Sequence, residues 1–265
     1  FVGVGVLWFL IRDEGAVKWV LYSTFAVVYL YIILSSVLTL PPHPRNRIFA
    51  ALILISVQVL FWALFEQAGS SLSLFTDRSV DRTIFGQEIK TSVFQSLNAM
   101  YIVLLGPLFA AFWVWLGKRN LDPSAPAKFG LGIIQLGLGF LVLVWGANAA
   151  GSEMTPVIFI FLIYLLHTTG ELCLSPVGLS AMTRLSVPKM VGLIMGAWFL
   201  ASGFGNFAAA QIAKLTTADG GGADQVILVY SSVGKLAVGV GIVLILISPF
   251  IKKMMHLDTI ATDNE

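Results

Sequence analysis

The sequence predicts an all-α membrane protein built as a bundle of transmembrane helices. Of the 265 residues, 57% are hydrophobic and only 11% are charged, whereas a soluble domain carries about 25% charged residues. A water-soluble fold of this length cannot hide so much apolar surface. The apolar residues form charge-poor runs long enough to cross a bilayer as helices. The runs lack regular polar alternation, which disfavours a β-barrel.

Seven apolar runs predict complete transmembrane helices, since a crossing needs roughly 20 residues. The runs are residues 19–40, 48–76, 91–117, 129–152, 154–183, 190–213 and 225–251. The chain opens at Phe1 inside a further apolar stretch, with no charged segment or cleavage site before it, so a signal peptide is not indicated. Residues 1–11 are therefore interpreted as the end of a truncated helix, and the chain as the later part of a longer polypeptide.

Prolines divide the chain after the first complete run. Pro41, Pro42 and Pro44 interrupt the helical pattern, because proline lacks a backbone N–H and restricts the residue before it. A stiff linker is therefore expected between a helix pair and a bundle of about six helices. The predicted parts are the helix pair (1–40), the linker (41–47), the bundle (48–254) and a tail (255–265).

Basic residues concentrate in the loops on one side of the predicted membrane. These residues are Arg45, Arg47, Lys118, Arg119, Lys128, Arg184, Lys189, Lys252 and Lys253. Loops 147–155 and 216–225 on the opposite side contain no Lys or Arg, although loops 12–18 and 77–90 do. The positive-inside rule therefore places the first set, with the linker and the tail, in the cytoplasm.

The sequence gives no support to several classes of function. Cys173 is the only cysteine, which excludes an internal disulfide framework. The three histidines are too scattered to indicate a haem or metal pair, and no phosphate-binding loop is present. We therefore expect no cofactor, no metal and no nucleic-acid partner. Any pumping would draw on an ion gradient.

Two carboxylates interrupt the apolar runs. A charged side chain at the centre of a bilayer costs roughly 2.5 kcal/mol or more, so such residues usually bind a partner, a substrate or a proton. Glu66 follows the aromatic residues Phe61, Trp62 and Phe65. The alternative for Glu66 is a position at the outer interface, because it lies past the middle of its run.

Glu171 lies near the centre of its run and close to helix-perturbing residues. Pro176 tends to free the carbonyl of Leu172, and Gly170 loosens the same turns. A bent helix beside a carboxylate is a common arrangement for binding and gating in transporters. The alternative is a structural pair with His167, four residues earlier on the same face.

Other polar and aromatic residues are weaker candidates. Asn98, at the start of its run, is expected to bond across helices or to contact a ligand. Trp198 lies inside its run among small residues, with Ser202 one turn later, and either lines a cavity or packs in the core. Asp77 belongs to a charged loop, which is either simply solvated or contributes to an outer gate. Lys235, in the last run, is interpreted as a residue that extends towards the interface.

The pattern as a whole resembles the bacterial proton-coupled oligopeptide transporters, a branch of the major facilitator superfamily. The segments that carry the resemblance are Phe61-Trp-Ala-Leu-Phe-Glu-Gln, Gln95-Ser-Leu-Asn, Gly170-Glu-Leu-Cys-Leu-Ser-Pro-Val-Gly-Leu, and Met195-Gly-Ala-Trp-Phe-Leu through Gly205-Asn. Together, in this order and spacing, they are specific to that family. The resemblance covers nearly all of the chain.

The resemblance implies that the chain is the C-terminal half of such a transporter. Residues from 48 onward would form its last six helices, and residues 1–40 an inserted helix pair. The first six helices, which carry the family's Glu-x-x-Glu-Arg motif, are not in this sequence. They would be the partner that supplies the basic groups for this half.

The resemblance also implies a role for individual residues in proton-driven symport of di- and tripeptides across the bacterial inner membrane. Glu171 would bind near the amino terminus of the peptide, and Glu66 would pair with an arginine and carry a proton. Asn98 would contact the peptide backbone. The remaining expected wall residues of the substrate cavity are Trp62, Trp198, Phe199 and Ser202.

Three alternatives remain open at this point. A transporter of the same fold could instead carry another small organic anion or nitrate, and in that case Glu171 would be dispensable. A membrane-embedded enzyme would need a catalytic centre independent of any gradient. In a structural membrane subunit, both carboxylates could be neutralised with an effect on stability alone.

Overall fold

The computed structural model describes residues 14–217 and 222–260. Its longer helices are α1 (Glu14–Thr39), α2 (Pro42–Phe65), α3 (Ser71–Ser79), α5 (Ser96–Lys118), α6 (Ala125–Ala150), α7 (Ile158–Leu185), α8 (Val191–Thr217) and α9 (Ala223–Met254), with the short α4 (Thr91–Phe94) before α5. Short 3₁₀ turns cover Glu66–Gly69 and Pro188–Met190. Within the described ranges, seven helical spans are long and apolar enough to cross a membrane. The predicted multi-pass helical bundle is confirmed.

The boundary between α1 and α2 is shorter than the predicted linker 41–47. Helix α1 ends at Thr39 and α2 already begins at Pro42, so only two residues lie between the helices. Proline fits the first turn of a helix because the N–H it lacks would have no helical partner there. The truncated helix predicted over residues 1–11 and the end of the predicted tail lie outside the described residues.

Close backbone contacts join α6 to its two main neighbours, α7 and α9. A Cβ atom added at Gly132 would lie 2.7 Å from the carbonyl oxygen of Gly170 in α7. A Cβ atom at Gly137 would lie 2.6 Å from the carbonyl oxygen of Gly234 in α9. Small residues allow membrane helices to approach this closely and to gain van der Waals contact. Helix α6 therefore forms the centre of a three-helix core.

Helix α5 is packed much less tightly. Leu97 is its only buried residue, and most of its apolar side chains are exposed. Its main neighbour is α7, which it contacts near its first turns. Tyr101 donates a hydrogen bond to the carbonyl oxygen of Phe161 at 3.3 Å. Helix α5 therefore presents most of its surface to lipid or to another part of the protein.

Within the described residues, the short β-strands lie on the predicted outer side. β1 (Val80–Asp81) pairs in parallel with β4 (Thr155–Pro156), and β2 (Thr83–Ile84) pairs antiparallel with β3 (Gln87–Glu88). Gly86 has a φ of +76° in the tight turn between β2 and β3, a conformation that glycine adopts without steric cost. The β1–β4 pair links the end of α3 to the loop before α7, and β2 and β3 form a hairpin between α3 and α4.

Replacing Gly137 by Leu is expected to destabilise the bundle, because the side chain would collide with the backbone of α9. Overpacking of this kind costs about 1–3 kcal/mol, so thermal unfolding in detergent should occur at a clearly lower temperature. Gly106→Leu is the matched control, because no atom lies within 4 Å of a Cβ at Gly106. Equal destabilisation by both variants would contradict the close α6–α9 contact.

Candidate functional site

The centre of the candidate site is a polar contact between α5 and α7. The side-chain amide of Asn98 donates to Oε2 of Glu171 at 2.9 Å and to Oγ1 of Thr168 at 3.1 Å. The hydroxyl of Thr168 in turn donates to the carbonyl oxygen of Tyr164 at 2.8 Å. Asn98 is half-buried and lies in the first turn of α5, where a polar side chain can reach the middle of α7. The Glu171 carboxylate is therefore held in one position in an apolar bundle.

Glu66 lies at the end of α2, where the chain changes from α-helix to a 3₁₀ turn. Its carboxylate is half-buried and lies close enough to Glu171 to interact with it electrostatically. Two negative charges repel each other, although burial is a larger effect on Glu171 than its interaction with Glu66. The arrangement therefore favours binding of a proton or a cation at this place.

A buried glutamine fixes the turn that carries Glu66. Gln67 is fully buried, and its amide donates to the carbonyl oxygens of Ala63 at 2.9 Å and of Ala209 in α8 at 3.1 Å. Its Oε1 accepts a hydrogen bond from Ser71 at 2.6 Å, and the Ser71 hydroxyl lies 2.7 Å from that of Tyr230 in α9. Sequence reasoning did not single out Gln67. The available signal was an amide side chain inside an apolar run, next to the carboxylate.

His167 does not pair with Glu171. Its ring is buried and lies 4.8 Å from the ring of Phe140 between centroids. Its Nε2 has no hydrogen-bond partner in the part of the chain that the structure describes. The structural alternative of a His167–Glu171 pair is therefore not formed, and Asn98 takes that place.

Helix α7 runs without interruption through Pro176, from Ile158 to Leu185. The flanking glycines are positions of tight packing: Gly170 lies against Gly132 of α6, and Gly178 against the indole ring of Trp198. Opening of the helix at this place is not evident in this conformation. A hinge at Pro176 and Gly170 remains a prediction.

The predicted aromatic wall residues lie mainly between α2 and α8. Trp198 is 3% exposed and packs edge-on against Phe129, and Ser202 donates to its carbonyl oxygen at 3.3 Å. Trp62 lies against Gly205 of α8, whereas Phe199 is 62% exposed. These four residues do not line the small cavity beside Asn98. That cavity of about 170 Å³ is lined by Phe65, Ala68, Gly69, Gln95, Asn98, Tyr164 and His167.

The predicted gate residue Asp77 belongs to a charged network on the outer side. Its carboxylate accepts a hydrogen bond from Thr91 at 2.7 Å and lies 3.6 Å from Arg82, which also pairs with Glu88 at 2.7 Å. The backbone N–H of Thr83 donates to Asp81 and lowers the pKa of that carboxyl group. Asp77 therefore has partners within this chain, and its role in a gate remains a prediction. Among the described residues, no group of three or more His, Cys, Asp or Glu is arranged to hold a metal ion.

Comparison with known proteins identifies the family. A model of the POT family, PTR2, matches residues 30–227. The peptide transporter YePEPT of Yersinia enterocolitica is 40% identical over 203 residues, which are 75% of this chain and 40% of that protein. Dipeptide and tripeptide permease B of Edwardsiella piscicida is 32% identical over 257 residues, which are 93% of this chain and 52% of that protein.

Comparison with solved structures leads to the same family. A crystal structure of a mutant peptide transporter POT in complex with alafosfalin superposes with a TM-score of 0.83 at 30% identity, covering 96% of this chain and 52% of that one. The chain belongs to the POT family, and the resemblance found in the sequence is confirmed. It spans about half the length of the relatives that it matches. These relatives are transporters, which removes the ground for the alternative of a membrane enzyme.

Replacing Gln67 by Leu is expected to destabilise the protein, because it leaves the carbonyl of Ala209 and the hydroxyl of Ser71 without their partner. Loss of a buried hydrogen-bond partner costs about 1–3 kcal/mol. Thermal unfolding in detergent measures the effect. The exposed Gln87→Leu is the matched control. An unchanged unfolding temperature in both variants would contradict the structural role of Gln67.

Proposed function

We propose that this chain provides the substrate-binding carboxylate and the proton site of a symporter that moves di- and tripeptides with protons. The observation that carries the proposal is Glu171, an acidic side chain in the middle of a membrane helix, oriented by Asn98 at 2.9 Å. A carboxylate at such depth is costly unless it has a use in binding or transport. Membership of the POT family makes a peptide the natural ligand.

Glu171 would bind the amino group of the peptide. One of its oxygens accepts from Asn98, which leaves the other oxygen free to accept from an ammonium group. A charge-assisted hydrogen bond of this kind is about twice as strong as one between neutral groups. Asn98 would also offer its carbonyl oxygen to the peptide backbone.

The carboxylate of the peptide requires a positive partner, and no Lys or Arg lines the described cavity beside Asn98. We assign that partner to a second half of the transporter, six N-terminal helices that pack against this bundle. The chain matches only about half of the length of its relatives, which supports such a division. Residues 14–40 would then belong to a helix pair inserted between the halves, in the inner membrane of a bacterium.

Proton coupling would follow from the interaction between Glu66 and Glu171. The two carboxylates interact electrostatically, so a proton on one of them favours the charged form of the other. Binding of a peptide amine at Glu171 and of a proton at Glu66 would therefore support each other. A proton gradient would then drive the alternation of the two halves, because each state binds these ligands with different affinity.

The other candidate residues would shape and gate the cavity. Trp62, Trp198, Phe199 and Ser202 are proposed to form walls that accept varied side chains, since methylene-scale differences change binding by only about 1–3 kcal/mol. The exposed ring of Phe199 is available for this without rearrangement, whereas Trp198 would have to leave its contact with Gly178. We propose Gly170 and Pro176 as the hinge and Asp77 as part of the outer gate.

Replacing Glu171 by Gln is expected to reduce proton-driven uptake of labelled dialanine into proteoliposomes by at least about tenfold. The amide keeps the size of the side chain but loses the charge that binds the peptide amine, and hydrogen bonds to charged groups contribute about 1.5–3 kcal/mol. Glu153→Gln, at an exposed loop position, is the matched control and should transport normally. Normal uptake by a folded Glu171→Gln variant would contradict the proposal.

Replacing Glu66 by Gln is expected to separate binding from coupling. Uptake driven by an inward proton gradient should be lost, because the amide cannot take up and release a proton. Exchange of external labelled dialanine against internal dialanine, which needs no net proton movement, should persist. Gradient-driven uptake at the wild-type rate would exclude Glu66 as the proton carrier.

A further inference from the structure

A second and larger cavity lies at the end of the bundle that is predicted to face the cytoplasm. Its volume is about 650 Å³, and it lies between α5 and α7. The beginning of α6 and the residues that follow α9 close it on the other sides. Neither Glu171 nor Asn98 lines it. It is therefore distinct from the small cavity beside Asn98, although the proposed hinge residue Pro176 lines it.

The walls of this cavity are largely apolar, and the cavity lies where α5 and α7 diverge. Helix α5 is held to α7 near its first turns through Asn98 and Tyr101, whereas further along no atom lies within 4 Å of a Cβ at Gly106. Phe109 and Trp113 of α5 face Leu172 and Val177 of α7 across the gap. The cavity volume of about 650 Å³ leaves room for an apolar part of a ligand between the two helices.

The rim of the cavity is basic. Lys128, Arg184 and Lys252 line it together with a single acidic residue, Asp122. Lys128 pairs with Asp122 at 2.7 Å and lies 4.3 Å from the ring centroid of Trp113. For Arg184 and Lys252, the described part of the chain provides no ion pair. The cavity therefore has an excess of two positive charges next to an apolar wall.

The start of α6 beside the cavity also favours an anionic ligand. Helix α6 begins at Ala125, and the side chain of the preceding Ser124 does not cap it. The first N–H groups of a helix have no internal partner and favour negative charge. Phosphate oxygens would be suitable acceptors for these N–H groups.

We propose that this cavity binds an anionic phospholipid of the cytoplasmic leaflet. The phosphate lies at the rim with Arg184 and Lys252, and one acyl chain lies between α5 and α7. A soluble anion would make no use of the apolar wall. A zwitterionic lipid carries its own ammonium group, which offsets the attraction of the two unpaired cations. Basic pockets between helices on the cytoplasmic side are suited to anionic head groups.

Native mass spectrometry of the purified protein in detergent tests the proposal, with dioleoylphosphatidylglycerol as the probe and dioleoylphosphatidylcholine as the neutral comparison. Dioleoylphosphatidylglycerol should bind more tightly than dioleoylphosphatidylcholine. Combined Arg184→Gln and Lys252→Gln replacement should weaken its binding by roughly 25-fold, about fivefold for each charge. The control combines Lys189→Gln and Lys253→Gln. These two replacements also remove two exposed charges from the same side, but Lys189 and Lys253 do not line the cavity.

A second pair of variants tests the apolar part without changing charge. Gly106→Trp places an indole in the gap between α5 and α7 and should weaken lipid binding at least tenfold. Gly117→Trp is the control, because it lies on the same helix in open space outside the cavity.

Three results would overturn the proposal. The first is equal affinity for the two lipids. The second is unchanged lipid binding after the charge replacements at Arg184 and Lys252 and after Gly106→Trp. The third is displacement of the lipid by millimolar glycerol 3-phosphate, together with a lipid affinity that Gly106→Trp does not change. The last result would identify a site for a free phosphate.

Discussion

The structure depends on one charged group in an apolar environment, the carboxylate of Glu171. Its hydrogen bond to Asn98 is the main polar link between α7 and the loosely packed α5. Because the same Asn98 amide also donates to Thr168, two residues of α7 hold Asn98 in place beside the carboxylate. A buried charge is tolerated only where such bonds and a positive ligand compensate for the loss of water. The proposed peptide amine supplies that positive charge and explains why an acidic residue occupies this position.

The surrounding packing holds this group in place while leaving room for movement. Gly132 and Gly137 bring α6 into close backbone contact with α7 and α9. Gln67 fixes the turn beside Glu66 to α8 by hydrogen bonds. Helix α5, by contrast, is held near its first turns and diverges from α7 at the other end. The proposed substrate contact thus lies at the start of α5 and the middle of α7, and the proposed lipid site lies between the same two helices towards the predicted cytoplasmic end.

The sequence predicted the helical spans well, because a long apolar run is a clear signal of a membrane helix. Glu171 stands out in the sequence as a carboxylate within such a run, whereas Asn98 is a weaker candidate because it lies at the start of its run. The role of Gln67 was missed because its partners are a carbonyl on α8 and a hydroxyl network reaching α9, which lie far away in the sequence. The burial of Trp198 depends on Gly178 of a different helix. Such contacts depend on how helices cross, and periodicity within one helix does not reveal this.

The central claim is that Glu171 recognises the amino group of a peptide. We would measure the affinity of the purified protein for dialanine and for N-acetyl-dialanine, in the wild type and in Glu171→Gln. Acetylation removes the positive charge, so the wild type should bind the acetylated peptide at least about tenfold more weakly, and the variant should bind both peptides equally. The same discrimination in the variant as in the wild type would contradict the account and place amine recognition elsewhere.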